Sequence, residues 1–260
     1  KKYCYLKGIL LQPLQRENIR LAATVMIVRD SANGIEVYMV KRPGKGDFPD
    51  LYVFPGGKVD EDDWQPDLCP DLADSDASVR LGLDAGAIRY WVAVARECFE
   101  EVGVLLARDA NGIHVPDVNQ RVLQAQLRGK LLSSEMSWAE VLQAQNLSIA
   151  SERLVYFSHW LTPPSVPRRF DTRFFLAALP EGQVALADTE ETISGQWVSP
   201  STALQLHKDG QWQMIGPTLS SLETLAQYAT AEEALAEVTA ENHVIPWTEE
   251  LGGHGMRPFR

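Results

Sequence analysis

Arg96-Glu97-Cys98-Phe99-Glu100-Glu101-Val102-Gly103 closes a run, residues 87–102 (AIRYWVAVARECFEEV), whose apolar positions recur with a helical period. Projected at about 100° per residue, Ile88, Trp91, Ala95, Cys98 and Val102 fall on one stripe. Gly103 suits the helix stop. Glu97, Glu100 and Glu101 project to roughly the opposite side, and their i, i+3, i+4 spacing makes their carboxylates neighbours. Three adjacent carboxylates repel one another unless a positive group sits among them, and a hard divalent cation that takes oxygen ligands fills that role. Taken alone, such a cluster is more often a solvated acidic face.

The segment upstream changes that balance. A short extended stretch, residues 51–54 (LYVF), runs into Pro55-Gly56-Gly57-Lys58-Val59-Asp60. Paired glycines let a backbone approach a ligand closely and adopt dihedrals closed to other residues. A GG turn coupled to R-E-x-x-E-E-x-G is far more specific than either element alone. Together they resemble the Nudix box, G-x5-E-x7-R-E-U-x-E-E-x-G-U with U apolar. Gly57 opens it, and Arg96 to Val104 close it with Cys98 at an apolar position. The resemblance implies that Glu97, Glu100 and Glu101 are metal ligands, for Mg²⁺ or Mn²⁺, with the Gly57 carbonyl as a further ligand. It implies that Arg96 holds the glutamates by charge-assisted bonds.

Two departures stand out. The first acid of the motif falls on Asp63, one methylene shorter than glutamate, and no role is assigned to it. Residues 64–95 stand where the motif has seven, so an insert splits the box; it assembles if residues 64–86 loop out, at small entropic cost. The insert reads as an acidic surface loop with at most one short helix, its aspartates (Asp62, Asp63, Asp67, Asp71, Asp74, Asp76) solvated. The split box, followed by FSHWLTPPSVPRRFDTRFFLAALP at 157–180, resembles the Nudix branch that includes the peroxisomal acyl-coenzyme A diphosphatases.

Around the box, residues 21–28 and 35–41 read as a hairpin across Ser31-Ala32-Asn33-Gly34. Helices are expected at 117–130 and 136–145, strands at 153–161, 173–179 and 195–198, and helices at 200–207 and 217–240. The mixture implies an α/β fold. The resemblance makes it a Nudix-type α/β/α sandwich around a mixed sheet: one domain over 1–260, with the insert at 64–86 and a C-terminal helical extension at 200–245.

Other residues carry competing readings. Arg42, at a strand end beside a Gly-rich loop, suits a substrate phosphate or an ordinary surface position. Arg168 and Arg169 suit a bidentate phosphate clamp or ion pairs with the protein's own acids, and Asp171 and Arg173 suit a mutual pair. Trp160, Phe174, Phe175 and Trp197 fit core packing better than stacking on a base. The five histidines are scattered, and His159 reads as structural. Glu190 and Glu191 precede the last strand, where some Nudix relatives carry the general base; Glu97 and Glu101 are the alternatives.

The net charge of −11 repels phosphate backbones and disfavours general nucleic-acid binding. It leaves room for a small phosphorylated ligand in a local basic or metal-bearing pocket. Three cysteines without CxxC spacing fit a reducing compartment. No run of about 18 apolar residues is present, so no membrane helix is expected. Lys1-Lys2-Tyr3 shows no signal-peptide pattern and reads as a trimmed end, and Met256–Arg260 spell no Ser-Lys-Leu address. The default location is cytoplasmic, and the commonest assembly would be a homodimer.

The reading that follows is a magnesium-dependent diphosphatase acting on coenzyme A or acyl-coenzyme A. Its rivals are a dinucleotide or nucleotide-sugar diphosphatase and a non-catalytic Nudix sensor of a phosphorylated metabolite. A sensor would be expected to lose metal carboxylates, and this chain keeps all three.

Overall fold

Residues 21–28 are apolar at every position but Thr24, a pattern a strand uses when both its faces are covered. They form the middle of β3 (Ile19–Ser31), with Ala22, Ala23 and Val25 to Val28 all buried. The computed structural model describes residues 5–6, 9–10, 19–44, 50–112, 121–162, 168–188 and 193–240. A small ribbon, β1 (Tyr5–Leu6) with β2 (Ile9–Leu10), lies outside the main sheet. β3 turns back through Ala32 and Asn33 into β4 (Gly34–Lys41), as the turn chemistry implies. β5 (Tyr52–Val53) pairs with β4, and β6 (Gly56–Lys58) pairs with β3.

Two helices follow: α1 (Asp74–Leu81) and α2 (Ile88–Val102). Then come β7 (Ala107–Arg108), α3 (Arg121–Leu132), α4 (Trp138–Gln143), β8 (Ser148–Ile149) and β9 (Val155–Leu161). β10 (Arg169–Ala178) runs antiparallel to β9 and parallel to β3. β11 (Ser194–Val198) pairs with β4, and α5 (Pro200–Lys208), α6 (Gly216–Leu225) and α7 (Ala231–Ala240) complete the described chain. The main sheet has the order β11-β4-β3-β10-β9, with β5 and β6 filling the space where β3 and β4 diverge.

Alternation along the strands divides the core in two. Ala23, Val25, Ile27, Tyr38, Val40, Phe175 and Ala177 face α2, whose Ile88, Trp91, Ala95, Cys98 and Val102 are fully buried, the stripe expected from sequence. Met26, Val28, Val37, Met39, Phe174 and Leu176 face the other way, onto Ala203, Leu222, Leu225, Ala234 and Val238 of α5 to α7. The layers are helix, mixed sheet, helix.

Two expectations need correction. The insert is not a looped-out surface segment. Two 3-10 turns (Glu61–Asp63 and Pro66–Leu68) and α1 pack Cys69, Leu72, Ala77 and Leu81 into the α2 side of the core. Its aspartates are not all solvated either. Asp74 accepts from the backbone N–H groups of Gly86 and Ile88 at 2.8 and 2.9 Å, capping α2, whose own N-cap is an alanine with no side-chain acceptor. The helical stretch expected at 217–240 is divided between α6 and α7. Thr230 begins the second, its Oγ1 accepting from the Glu233 N–H at 3.1 Å, while the Glu233 carboxylate accepts from Ala229 N–H at 2.7 Å; Thr230-x-x-Glu233 is a capping pair.

Candidate active site

α2 places its acids against β6 because the apolar stripe fixes the helix's rotation on the sheet. β6 lies at the sheet's middle: Gly57 pairs with Ala23 and Gly56 with Thr24 of β3. A Cβ on Gly56, whose φ is 149°, would collide with the β3 backbone at Ala23 and Thr24, so only glycine fits there, and one on Gly57 would displace the Glu97 carboxylate. The Gly56 N–H donates to Glu101 Oε2 at 2.8 Å. Glu97 and Glu101 are 9% and 6% exposed, too buried for a solvated acidic face. At the other end, Gly103 takes a left-handed φ of 67° as the helix cap.

Arg96 organises the acids. Its Nη1 donates to Glu97 Oε1 at 3.0 Å and to Glu100 Oε2 at 2.8 Å. Its Nε and Nη2 grip both oxygens of Asp63 at 2.9 Å each, and Nη2 also donates to the Lys58 carbonyl at 3.0 Å. Burial opposes the guanidinium's charge, but the Asp63 bond and the nearby charges of Glu97, Asp63 and Glu100 outweigh it and hold its pKa above the ordinary arginine value. Asp63 is 2% exposed and also accepts from the Asp60 N–H at 2.8 Å. It therefore joins the end of β6 to α2, a role for which its position in the motif was the available signal.

Arg128 of α3 was not singled out by sequence. Its Nε and Nη2 donate to the Glu100 carbonyl at 2.9 and 2.7 Å, and its Nη1 to the Leu186 carbonyl at 3.2 Å. The segment it touches is bonded to the helix end, Leu186 N–H to Val102 O and Asp188 N–H to Glu101 O, each at 2.8 Å. Arg128 thus satisfies a terminal carbonyl of α2 and ties the helix to the chain ahead of β11. Nothing local marks it in the sequence. Glu190 and Glu191 lie outside the described residues.

The donor set, three carboxylates and a glycine-lined approach, fits a hard divalent cation. Among the described residues, Arg96 bonds to Asp63, Glu97 and Glu100, and the charge of Arg128 acts on Glu101, so two guanidiniums face four carboxylates. Glu97 and Glu100 turn to Arg96 and Glu101 to Gly56, and among the described residues no three His, Cys, Asp or Glu side chains stand where they could share one metal ion.

The remaining candidates stand apart. Arg42 directly follows β4, with its N–H donating to the Leu51 carbonyl at 2.9 Å and its buried Nε lacking a hydrogen-bond partner among the described residues. Arg169 donates to the Thr162 carbonyl at 3.0 Å, and its backbone lies beside Ile19, three residues before the β3 residue that pairs with Lys58; along a strand that is about 10 Å. Arg168 is exposed next to it. Neither arginine is brought against the α2 carboxylates by any bond described here. Trp160, Phe174 and Phe175 are core residues. Trp197 packs on Tyr38 at 5.1 Å and under the Arg29 guanidinium at 4.2 Å. Asp171 takes Arg173 at 3.4 Å and His159 at 2.7 Å, the structural pairing expected of them.

This sheet, with an acid-bearing helix laid over a glycine turn, is a Nudix hydrolase fold. A structure of a NUDIX hydrolase from Alicyclobacillus acidocaldarius superposes with a TM-score of 0.67 at 27% identity, covering 85% of this chain and 97% of that one. The family model described as NUDT19 Nudix domain matches residues 85–225, more than half of the chain, and the chain belongs to that family. Curated relatives include the acyl-coenzyme A diphosphatase NUDT19 of Xenopus laevis, 25% identical over 244 residues, and that of Homo sapiens, 24% identical over 237. These alignments cover 79% and 78% of this chain and 63% of each relative, so the chain spans somewhat less than two-thirds of their length. No helix among the described residues is long and apolar enough to cross a membrane.

Proposed function

We propose that this protein hydrolyses a diphosphate linkage in a nucleoside diphosphate derivative, and that its substrate is coenzyme A or an acyl-coenzyme A. One observation carries the reading: three glutamates on one face of α2, with Glu101 bonded to Gly56 and Glu97 against Gly57, in a chain of the NUDT19 Nudix domain family. The relatives' names supply the substrate class.

Glu97, Glu100 and Glu101 would hold Mg²⁺ or Mn²⁺, with the Gly57 carbonyl as a further ligand. The bound cation would neutralise the diphosphate oxygens that otherwise repel a nucleophile. Arg96 fixes the orientation of Glu97 and Glu100, and the Gly56 N–H fixes Glu101. Glu97 or Glu101 would accept the proton of the attacking water. The water oxygen bonds to phosphorus as the bridging P–O bond breaks, giving adenosine 3′,5′-bisphosphate and a phosphopantetheine or its acylated form. Arg42, whose buried Nε has no hydrogen-bond partner among the described residues, would bind a substrate phosphate, and Arg168 and Arg169 would serve a more distant part of the substrate.

The test is incubation with Mg²⁺ and a panel of coenzyme A, acyl-coenzyme A, NADH, ADP-ribose and diadenosine polyphosphates, with products resolved by chromatography. Adenosine 3′,5′-bisphosphate is expected from coenzyme A, and its release falls at least a hundredfold in a Glu100→Gln/Glu101→Gln variant. Cleavage of another panel member alone would replace the substrate and keep the chemistry. No cleavage by folded, metal-bound protein would favour the sensor reading.

A further inference from the structure

Trp64 is 47% exposed, whereas Trp91, Trp138, Trp160 and Trp212 are buried. A half-exposed indole presents a flat apolar face to solvent, with one edge able to donate a hydrogen bond. Its backbone is tightly placed. Asp63, one residue before it, is gripped by Arg96, and the Trp64 N–H donates to the Glu61 carbonyl at 3.2 Å. The guanidinium of Arg89 lies 5.6 Å from the indole centroid and is itself oriented by its Nε bond to the Gly86 carbonyl at 2.8 Å. A Cβ on Gly86 would crowd Arg89 Nη2, at 2.9 Å. The insert therefore presents an aromatic face already braced by a cation.

The position matters as much as the pair. Arg89 precedes Arg96 by seven residues and Glu100 by eleven, so all three share one side of α2. The helical rise puts Arg89 about 10 Å from Arg96 and about 16 Å from Glu100 along the axis. The nearer figure, at Arg96, whose guanidinium holds the Glu97 and Glu100 carboxylates, is the scale separating a diphosphate from the base of the nucleotide that bears it. A flat aromatic face and a guanidinium at that distance match a nucleobase and the phosphate on its ribose.

We propose that Trp64 and Arg89 form the subsite for the nucleotide half of the substrate: the base stacks on the indole and Arg89 meets the ribose phosphate. The inference rests on the diphosphatase reading for its choice of ligand, and it gives the insert a function in recognition.

The test reads binding as well as turnover. Adenosine 3′,5′-bisphosphate and 4′-phosphopantetheine are titrated separately into the full chain by calorimetry, using wild type, Trp64→Ala, Trp64→Phe and Arg89→Met. Trp64→Ala should weaken the bisphosphate roughly tenfold, Trp64→Phe should retain most of the affinity, and phosphopantetheine should be unaffected. With coenzyme A, the KM of Trp64→Ala should rise by a similar factor, with a much smaller change in kcat. Equal bisphosphate affinity in wild type and Trp64→Ala overturns the subsite, as does a wild type that does not bind the bisphosphate. Equal loss for both ligands overturns it too, since that marks a structural role. Trp64-dependent bisphosphate binding by a protein that cuts nothing in the panel would keep the subsite and remove the diphosphatase reading.

Discussion

Arg96 and Arg173 are both largely buried on the α2 side of the sheet, and their surroundings differ in charge. Arg96 faces Asp63, Glu97 and Glu100 at 2.8–3.0 Å, with Asp60 at 3.7 Å. Arg173 faces one carboxylate, Asp171, at 3.4 Å; its Nη1 donates to the Tyr156 hydroxyl at 3.0 Å and to the Leu81 carbonyl at 3.2 Å. The second cluster balances its charge and closes on itself, pinning the end of α1 to β10. Among the described residues, the first sets three close carboxylates against one arginine. Like charges are kept together at a cost in stability, and such a cost is characteristic of a site that binds something of opposite sign.

The comparison breaks most visibly if the arginines are removed. Arg96→Met strands a buried Asp63 between Glu97 and Glu100 and should cost about 3–5 kcal/mol. Arg173→Met leaves Asp171 with His159 and partial solvent, and should cost about 1–3 kcal/mol. Urea denaturation of both variants measures the difference; equal losses, or a larger loss at Arg173, would mean that the α2 acids are not electrostatically strained. Metal sharpens the same point. Mg²⁺ at about a hundred times its dissociation constant should stabilise wild type by about 2.7 kcal/mol, several degrees in melting temperature. Glu100→Gln/Glu101→Gln should lose that increment and melt no lower than wild type without metal. A metal-independent melting temperature in wild type would remove the cation from the account.

The smallest effect concerns the thiols. Burial, then the Asp71 charge, pushes the Cys69 thiol up to about 12. Burial, then the Glu101 charge, raises that of Cys98 as well. Both should stay protonated and resist iodoacetamide at pH 8 until the protein unfolds. Rapid labelling of Cys98 in the native protein, followed by mass spectrometry, would show that the α2 stripe opens to solvent.

Much of this was legible locally. The α2 stripe, its Gly103 stop and the spacing of Glu97, Glu100 and Glu101 are written within a few turns of one helix, where periodicity maps directly onto a face. The β3–β4 hairpin follows from two apolar runs around a turn. Thr230-x-x-Glu233 is a local capping signal that marks where the second helix of the 217–240 stretch begins.

The rest depends on which residues meet across the chain. The aspartates of the insert are alike in composition, yet Asp63 closes on Arg96, Asp74 caps α2 and Asp71 reaches Arg108 at 3.4 Å. Arg128 reaches Glu100 from α3, and Trp64 comes to rest on Arg89 from the insert. The chain alone specified the fold, the chemistry of the acids and the turn that receives them, because those rest on short-range spacing. Folding settled which charges are shared and which aromatic is left in water, because a buried charge takes the partner that packing brings within reach.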